Sequence, residues 1–183
     1  YPSLVREKNS SWVDHYRFLK RIESEVAPEY HVQYKLLNAL EYGVPQSRQR
    51  VFIVGFKKEI GWKFPESTHT LDALLWSQLV TGKYWEKHGT TPNYDFNADA
   101  KRKSLIQKYG FLEPEHKAAL TVRDALHKVP DPKARTLLEG HNFQPGAKVY
   151  PGHTGSFIDL PSKTIKAGDH GVPGGENMIR YRD

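Results

Sequence analysis

At 183 residues the chain is long enough to bury a core as one ordinary domain or two small ones. A mean hydropathy of -0.68 describes a soluble, polar chain, and runs such as LDALL fall far short of the roughly 20 apolar residues of a membrane helix. A net charge of +6 favours an anionic partner such as nucleic acid, while zero cysteines exclude disulfides, thiolate metal sites and a thiol nucleophile from this chain.

In chain order, the stretch SSWVDHYRFLKRIESEVAPEY reads as an amphipathic helix. Ser11 and Asp14 stand at capping-box spacing, Trp12, Tyr16, Leu19, Ile22 and Val26 recur at helical intervals, and Pro28 ends the pattern. HVQYKLLNAL, from His31, is a candidate strand, and RVFIVGFKK is a β-prone run that reads as a second, buried strand. Between them lies GVPQSRQR, in which Gln46, Arg48 and Arg50 alternate by two behind a Gly-Val-Pro turn, so the two arginines share a side if extended. Strands joined by about ten residues around such a turn are expected to form an antiparallel pair with a long connection.

Further on, THTLDALLWSQLV predicts a short helix with Thr70 as N-cap, and a basic helix is expected to end near Gly110. ALTVRDALHKVPDP predicts one more short helix from about Thr121, stopped by Pro130 and Pro132. From Lys133 onward glycine and proline are frequent, and loops with short strands are expected. A change of character near residues 58–70 is the best domain boundary. With its start at Tyr1 and a single methionine, Met178, the chain reads as a piece of a longer translation product, and nothing at the N-terminus resembles a signal peptide.

LLNALEYGVPQSRQRVFIVGF resembles the Gln-x-Arg-x-Arg block of the DNA cytosine-5 methyltransferases of the bacterial restriction-modification type. HTGSFIDLPSKTIKAGDHGVPGGEN, His153 to Asn177, resembles the later part of the target recognition region in one branch of that family. The resemblance implies an α/β fold, with residues 1–60 the end of a Rossmann-like S-adenosylmethionine-dependent methyltransferase domain. Residues 61–183 would form most of an irregular α+β target recognition domain.

The implied chemistry begins with a target cytosine leaving the duplex stack. A cysteine thiolate adds to C6, a glutamate supports protonation at N3, and C5 then takes a methyl group from S-adenosylmethionine. By resemblance Arg50 contacts cytosine O2, Arg48 braces the acidic partner or a phosphate, and Gln46 sets the loop. The family's Pro-Cys, Glu-Asn-Val and Phe-x-Gly-x-Gly motifs are absent, so the isolated chain is expected to be inactive and to bind S-adenosylmethionine only through parts of a parent protein. TVRDAL resembles only the beginning of the family's closing helix motif and reads here as a helix start.

Lys163, Thr164, Lys166 and His170 read as donors to phosphates or base edges, or else as a solvated polar edge. Gly168, with Gly171, Gly174 and Gly175, reads as backbone approaching DNA or as a surface loop. Arg180 and Arg182, flanking Tyr181, read as a solvated tail, and the nine histidines show no metal-ligand spacing. The expected partners are duplex DNA and the remainder of a methyltransferase, in a bacterial cytoplasm and without a membrane. The alternative is a non-catalytic DNA-binding specificity subunit beside a separate catalytic chain. Strands cut off from their sheet would leave unpaired edges and exposed apolar faces, so aggregation or dimerisation is expected.

Overall fold

The computed structural model describes residues 6–23, 30–58, 60–93, 97–131, 133, 139–141, 148, 151–152, 154–165 and 177–181. Lys166, Gly168, His170, Gly171, Gly174, Gly175 and Arg182, singled out above, lie outside the described residues, as do Pro28 and His153. By its contacts the chain divides into residues 1–35 with 51–64, and residues 36–50 with 65–183.

In the first unit, helix α1 (Trp12–Glu23) begins where the sequence places it. Ser11 Oγ accepts from the Asp14 amide at 3.1 Å and donates to the Asp14 carboxylate at 2.6 Å, so an otherwise orphaned first-turn N–H is satisfied. Two residues of its apolar stripe stay open, Trp12 at 72% and Tyr16 at 59% exposed. Strands β1 (His31–Asn38) and β2 (Gln49–Phe56), of which residues 31–35 and 51–56 belong to this unit, pair as a two-stranded sheet. The reading of the second strand as buried is corrected here, because Ile53 is 72% and Val51 62% exposed. Apolar residues occupy successive positions of β2, a pattern suited to burial on both faces, and a two-stranded ribbon has no third layer to cover either. Burial here is local to one cluster, in which Trp62 lies tilted against Phe56 and edge-on to Phe64, with ring centroids 5.7 and 4.6 Å away.

The second unit holds a 3-10 turn (Ala39–Tyr42), strand β3 (His69–Thr70), helices α2 (Leu71–Leu79), α3 (Lys83–His88) and α4 (Ala98–Tyr109), strand β4 (Lys117–Ala118), helix α5 (Val122–Leu126), and strands β5 (Ser156–Phe157) and β6 (Ile179–Arg180). β3 runs parallel to β4, and β5 parallel to β6. Thr70 caps α2 as predicted, its Oγ1 accepting from the Ala73 amide at 3.2 Å. α4 ends at Gly110, whose N–H donates to Ile106 O. Asp72 of α2 accepts from Lys108 Nζ at 2.7 Å and Tyr109 OH at 2.8 Å, tying α2 to α4. That hydrogen bond from Lys108, reinforced by Tyr109 against the opposing effect of burial, holds the Asp72 carboxyl below its ordinary range.

The core of this unit gathers Leu40, Leu74, Tyr84, Trp85 and Ala119, with Ala118 and Leu160 packed against it. Tyr84 and Trp85 come from α3, which the sequence did not announce. Between α2 and α3, Trp85 Nε1 donates to Gln78 O at 2.8 Å, so the indole is buried with its polar edge satisfied. Among the described residues no helix is long and apolar enough to cross a membrane.

Candidate nucleic-acid interface

Asn38, the last residue of β1, organises the donor-rich turn. Its Oδ1 accepts from the Arg48 amide at 3.0 Å and the Leu40 amide at 3.5 Å, while the Ala39 amide donates to Arg48 O at 3.0 Å. Arg48 therefore has both backbone groups fixed before β2 begins. Inside this closure Gly43 adopts φ +80°, and a Cβ built there would lie 3.0 Å from the His69 ring. Only glycine combines that backbone with so close a neighbour. Burial, and then the charge of Lys117, push the His69 imidazole below its ordinary value, so at neutral pH it packs on the turn uncharged.

The turn is held from a second side by a segment far along the chain. Gln46 forms a parallel bridge with Ser162. The Ser162 amide donates to Pro45 O at 2.9 Å, the Ser47 amide donates to Ser162 O at 2.8 Å, and Thr164 Oγ1 donates to Ser47 O at 3.2 Å. The stretches Gly43–Phe56 and His153–Asn177, singled out separately in the sequence, thus meet at Gln46–Ser47 and Ser162–Thr164. Thr164 spends its hydroxyl on the turn. Lys163 is tied at both ends, its amide donating to Ser156 Oγ at 2.9 Å and its Nζ to Thr154 Oγ1 at 2.5 Å.

Arg48 and Arg50 are both exposed, and Gln46 is half-buried. Arg50 Nη1 donates to Gln49 O at 2.7 Å, and no described residue partners the Arg48 guanidinium. Beside the turn opens a cleft of about 380 Å³ lined by Val44, Pro45, Gln46, Val122, Leu126 and Ile165 among others. Cationic and amide donors on a braced backbone, next to an apolar hollow, can hold a planar polar group or a phosphate by charge-assisted hydrogen bonds.

Elsewhere Arg180 is exposed, as the solvated reading has it, but lies in β6 rather than a loose tail, with its guanidinium 5.2 Å from the centre of the Phe157 ring. Gly155, at φ +65°, is pressed so close to the Met178 backbone that a Cβ would stand 2.8 Å from its carbonyl oxygen. Among the described residues no group of three or more His, Cys, Asp or Glu is placed to hold a metal ion. Sequence reasoning missed Asn38, Ser47 and Ser162, which position the donors; the Leu-Asn-Ala step before the turn was the signal available for the first.

Residues 4–141 match the family described as C-5 cytosine-specific DNA methylase. The Type II methyltransferase M.BsuRI of Bacillus subtilis is 52% identical over 50 residues, 26% of this chain and 12% of that protein. M.MthTI of Methanothermobacter thermautotrophicus is 49% identical over 47 residues, 26% of this chain and 14% of that protein. A longer match, 26% identical over 155 residues, links 82% of this chain to 41% of M.FnuDI of Fusobacterium nucleatum. The chain spans less than half the length of these relatives. No solved structure matches it.

Proposed function

The chain belongs to the C-5 cytosine-specific DNA methylase family, and on that premise we propose that it supplies one wall of the cytosine pocket and the sequence-reading surface of an enzyme that methylates cytosine C5 in duplex DNA. The observation that carries this reading is the bridge between Gln46 and Ser162, which joins the donor turn to the segment read as target recognition. A base-holding group and a sequence-reading segment need a common frame if recognition is to place the right base at the reacting centre.

In this reading Arg50 donates to O2 of a flipped cytosine, opposing the negative charge that develops on the ring when a thiolate adds at C6. Arg48 braces the acidic partner or a phosphate, and Gln46 fixes the turn. Lys163, Thr164, Lys166, Gly168 and His170 belong to the DNA-facing segment, with residues 1–60 the end of a Rossmann-like catalytic domain and 61–183 most of the recognition domain. The chain contains no cysteine, so the nucleophile comes from the remainder of the enzyme, and the isolated chain is inactive. That remainder also covers the apolar faces left open on β1, β2 and α1.

S-adenosylmethionine supplies the methyl group in this chemistry. The cleft beside the donor turn does not fit it, since among the described residues no carboxylate lines that cleft to meet a ribose or an ammonium group. The cofactor therefore belongs to the remainder of the enzyme.

The test is Arg50→Ala in the full-length enzyme, read by transfer of labelled methyl to duplex DNA. A loss of about 10²–10³-fold in kcat is expected, the effect of removing one preorganised donor to a developing anion, with duplex affinity at fixed salt retained. Unchanged kcat sinks the assignment. A full-length protein that binds duplex DNA but transfers no methyl group would favour the specificity-subunit reading.

A further inference from the structure

Asp159 is 5% exposed and sits in a turn that has almost no regular structure of its own. Its Oδ1 accepts from Arg123 Nε at 2.6 Å and Tyr84 OH at 2.8 Å, its Oδ2 accepts from Arg123 Nη2 at 3.2 Å, and its main-chain carbonyl accepts from Gln78 Nε2 at 2.7 Å. Two groups of α5 bind the same turn: the Val122 amide donates to Leu160 O at 3.0 Å and the Arg123 amide to Ile158 O at 2.8 Å. Residues 158–160 are thus clamped to α2, α3 and α5, and two residues later the chain reaches Ser162.

A buried ion pair is a weak way to gain stability, because desolvation cancels much of its attraction. It is a strong way to fix position, since a two-pronged guanidinium–carboxylate contact tolerates little displacement. We propose that Asp159 is a positioning residue that sets the placement of the Gln46–Arg50 donor turn by clamping the segment on which that turn rests. The proposal rests on the functional reading above and adds a residue to it. Asp159 touches none of the donors; it acts through Ser162, whose amide and carbonyl hold Pro45 and Ser47. Arg123 and Tyr84 are the fixed points against which it pulls.

Asp159→Asn keeps the shape and an acceptor for Tyr84 while removing the charge that Arg123 grips. In the full-length protein its amide hydrogen exchange is expected to rise about tenfold at Ser47 and Ser162, the loss of a charge-assisted contact. The Lys117 and Ala119 amides, bonded to Thr68 and Thr70 across β3–β4, are expected to keep wild-type rates. kcat for methyl transfer should fall about tenfold with KM for duplex DNA unchanged, and Arg123→Lys, which keeps the charge without the fork, should fall between. Uniform acceleration of all four amides overturns the proposal, because Asp159 would then be ordinary stabilising structure. Local acceleration with unchanged kcat also overturns it, and if Arg50→Ala still lowers kcat the functional reading survives. If Arg50→Ala has no effect, that reading falls and takes the positioning role with it.

Discussion

At the scale of single residues, the donor turn depends on groups outside the donor set itself. Gly43 shows this most directly. At φ +80° any side chain costs roughly 1–2 kcal/mol of backbone strain, and the His69 ring leaves no slack. Gly43→Ala is therefore expected to lower stability by about that amount in urea unfolding, and to perturb the His69 ring resonances in a proton spectrum. Wild-type stability together with an unshifted His69 would mean that the turn relaxes freely. Gln46, Arg48 and Arg50 were singled out because the whole stretch around them resembles the Gln-x-Arg-x-Arg block; their alternation by two would by itself suit a surface hairpin equally well. Ser162 and Asp159 were not legible in the sequence, since each matters through a partner distant in sequence or through burial that no local pattern announces, and Asn38 was signalled only by the Leu-Asn-Ala step.

Among the elements, α5 has only five residues and relies on its cap. Thr121 Oγ1 accepts from the Asp124 amide at 3.1 Å, and the Thr121 amide donates back to the Asp124 carboxylate at 2.9 Å, a complete capping box. Burial alone would raise the Asp124 pKa, but hydrogen bonds from Lys87 and from the Thr121 amide and hydroxyl outweigh it and hold the carboxyl below its ordinary value of 3.8. A depressed carboxyl stabilises the fold fully above its unfolded value and loses that contribution as pH falls through the folded one. Denaturation below pH 3.8 should accordingly be less steep in pH for Asp124→Asn than for wild type. Thr121→Ala should cost about 1–2 kcal/mol at neutral pH, measured by urea titration; a loss of a few tenths would show the cap to be idle. Cap residues are also why α2, α4 and α5 could be read in advance. α3 could not: it is bounded by Gly82 and Gly89 without a side-chain cap, and tertiary burial of Tyr84 and Trp85 defines it.

For the whole molecule, the decisive feature is the apolar surface left open on β1, β2 and α1. Tyr34 is 79% exposed and Leu36 57%, alongside Val51, Ile53 and Trp12. Surface of this kind draws strands and apolar faces together between molecules. The 183-residue chain alone should associate as its concentration rises, seen as a growing sedimentation coefficient, and Ile53→Lys with Tyr34→Lys should suppress it. A single monomeric species across the range would contradict this. The strand pattern was legible in the residues, whereas its exposure was not, because periodicity reports what a face suits and not whether a covering layer is present. The contact between the two motif segments carries a further consequence, in time rather than in space. Thr164 holds Ser47 across 117 residues of chain. At roughly 5–20 residues per second of synthesis, the arginines emerge on the order of ten seconds before their brace exists, and loops of that span close late. The donor turn therefore waits for its second brace while those 117 residues are made, held until then only by the local closure of Asn38 and Ala39 on Arg48.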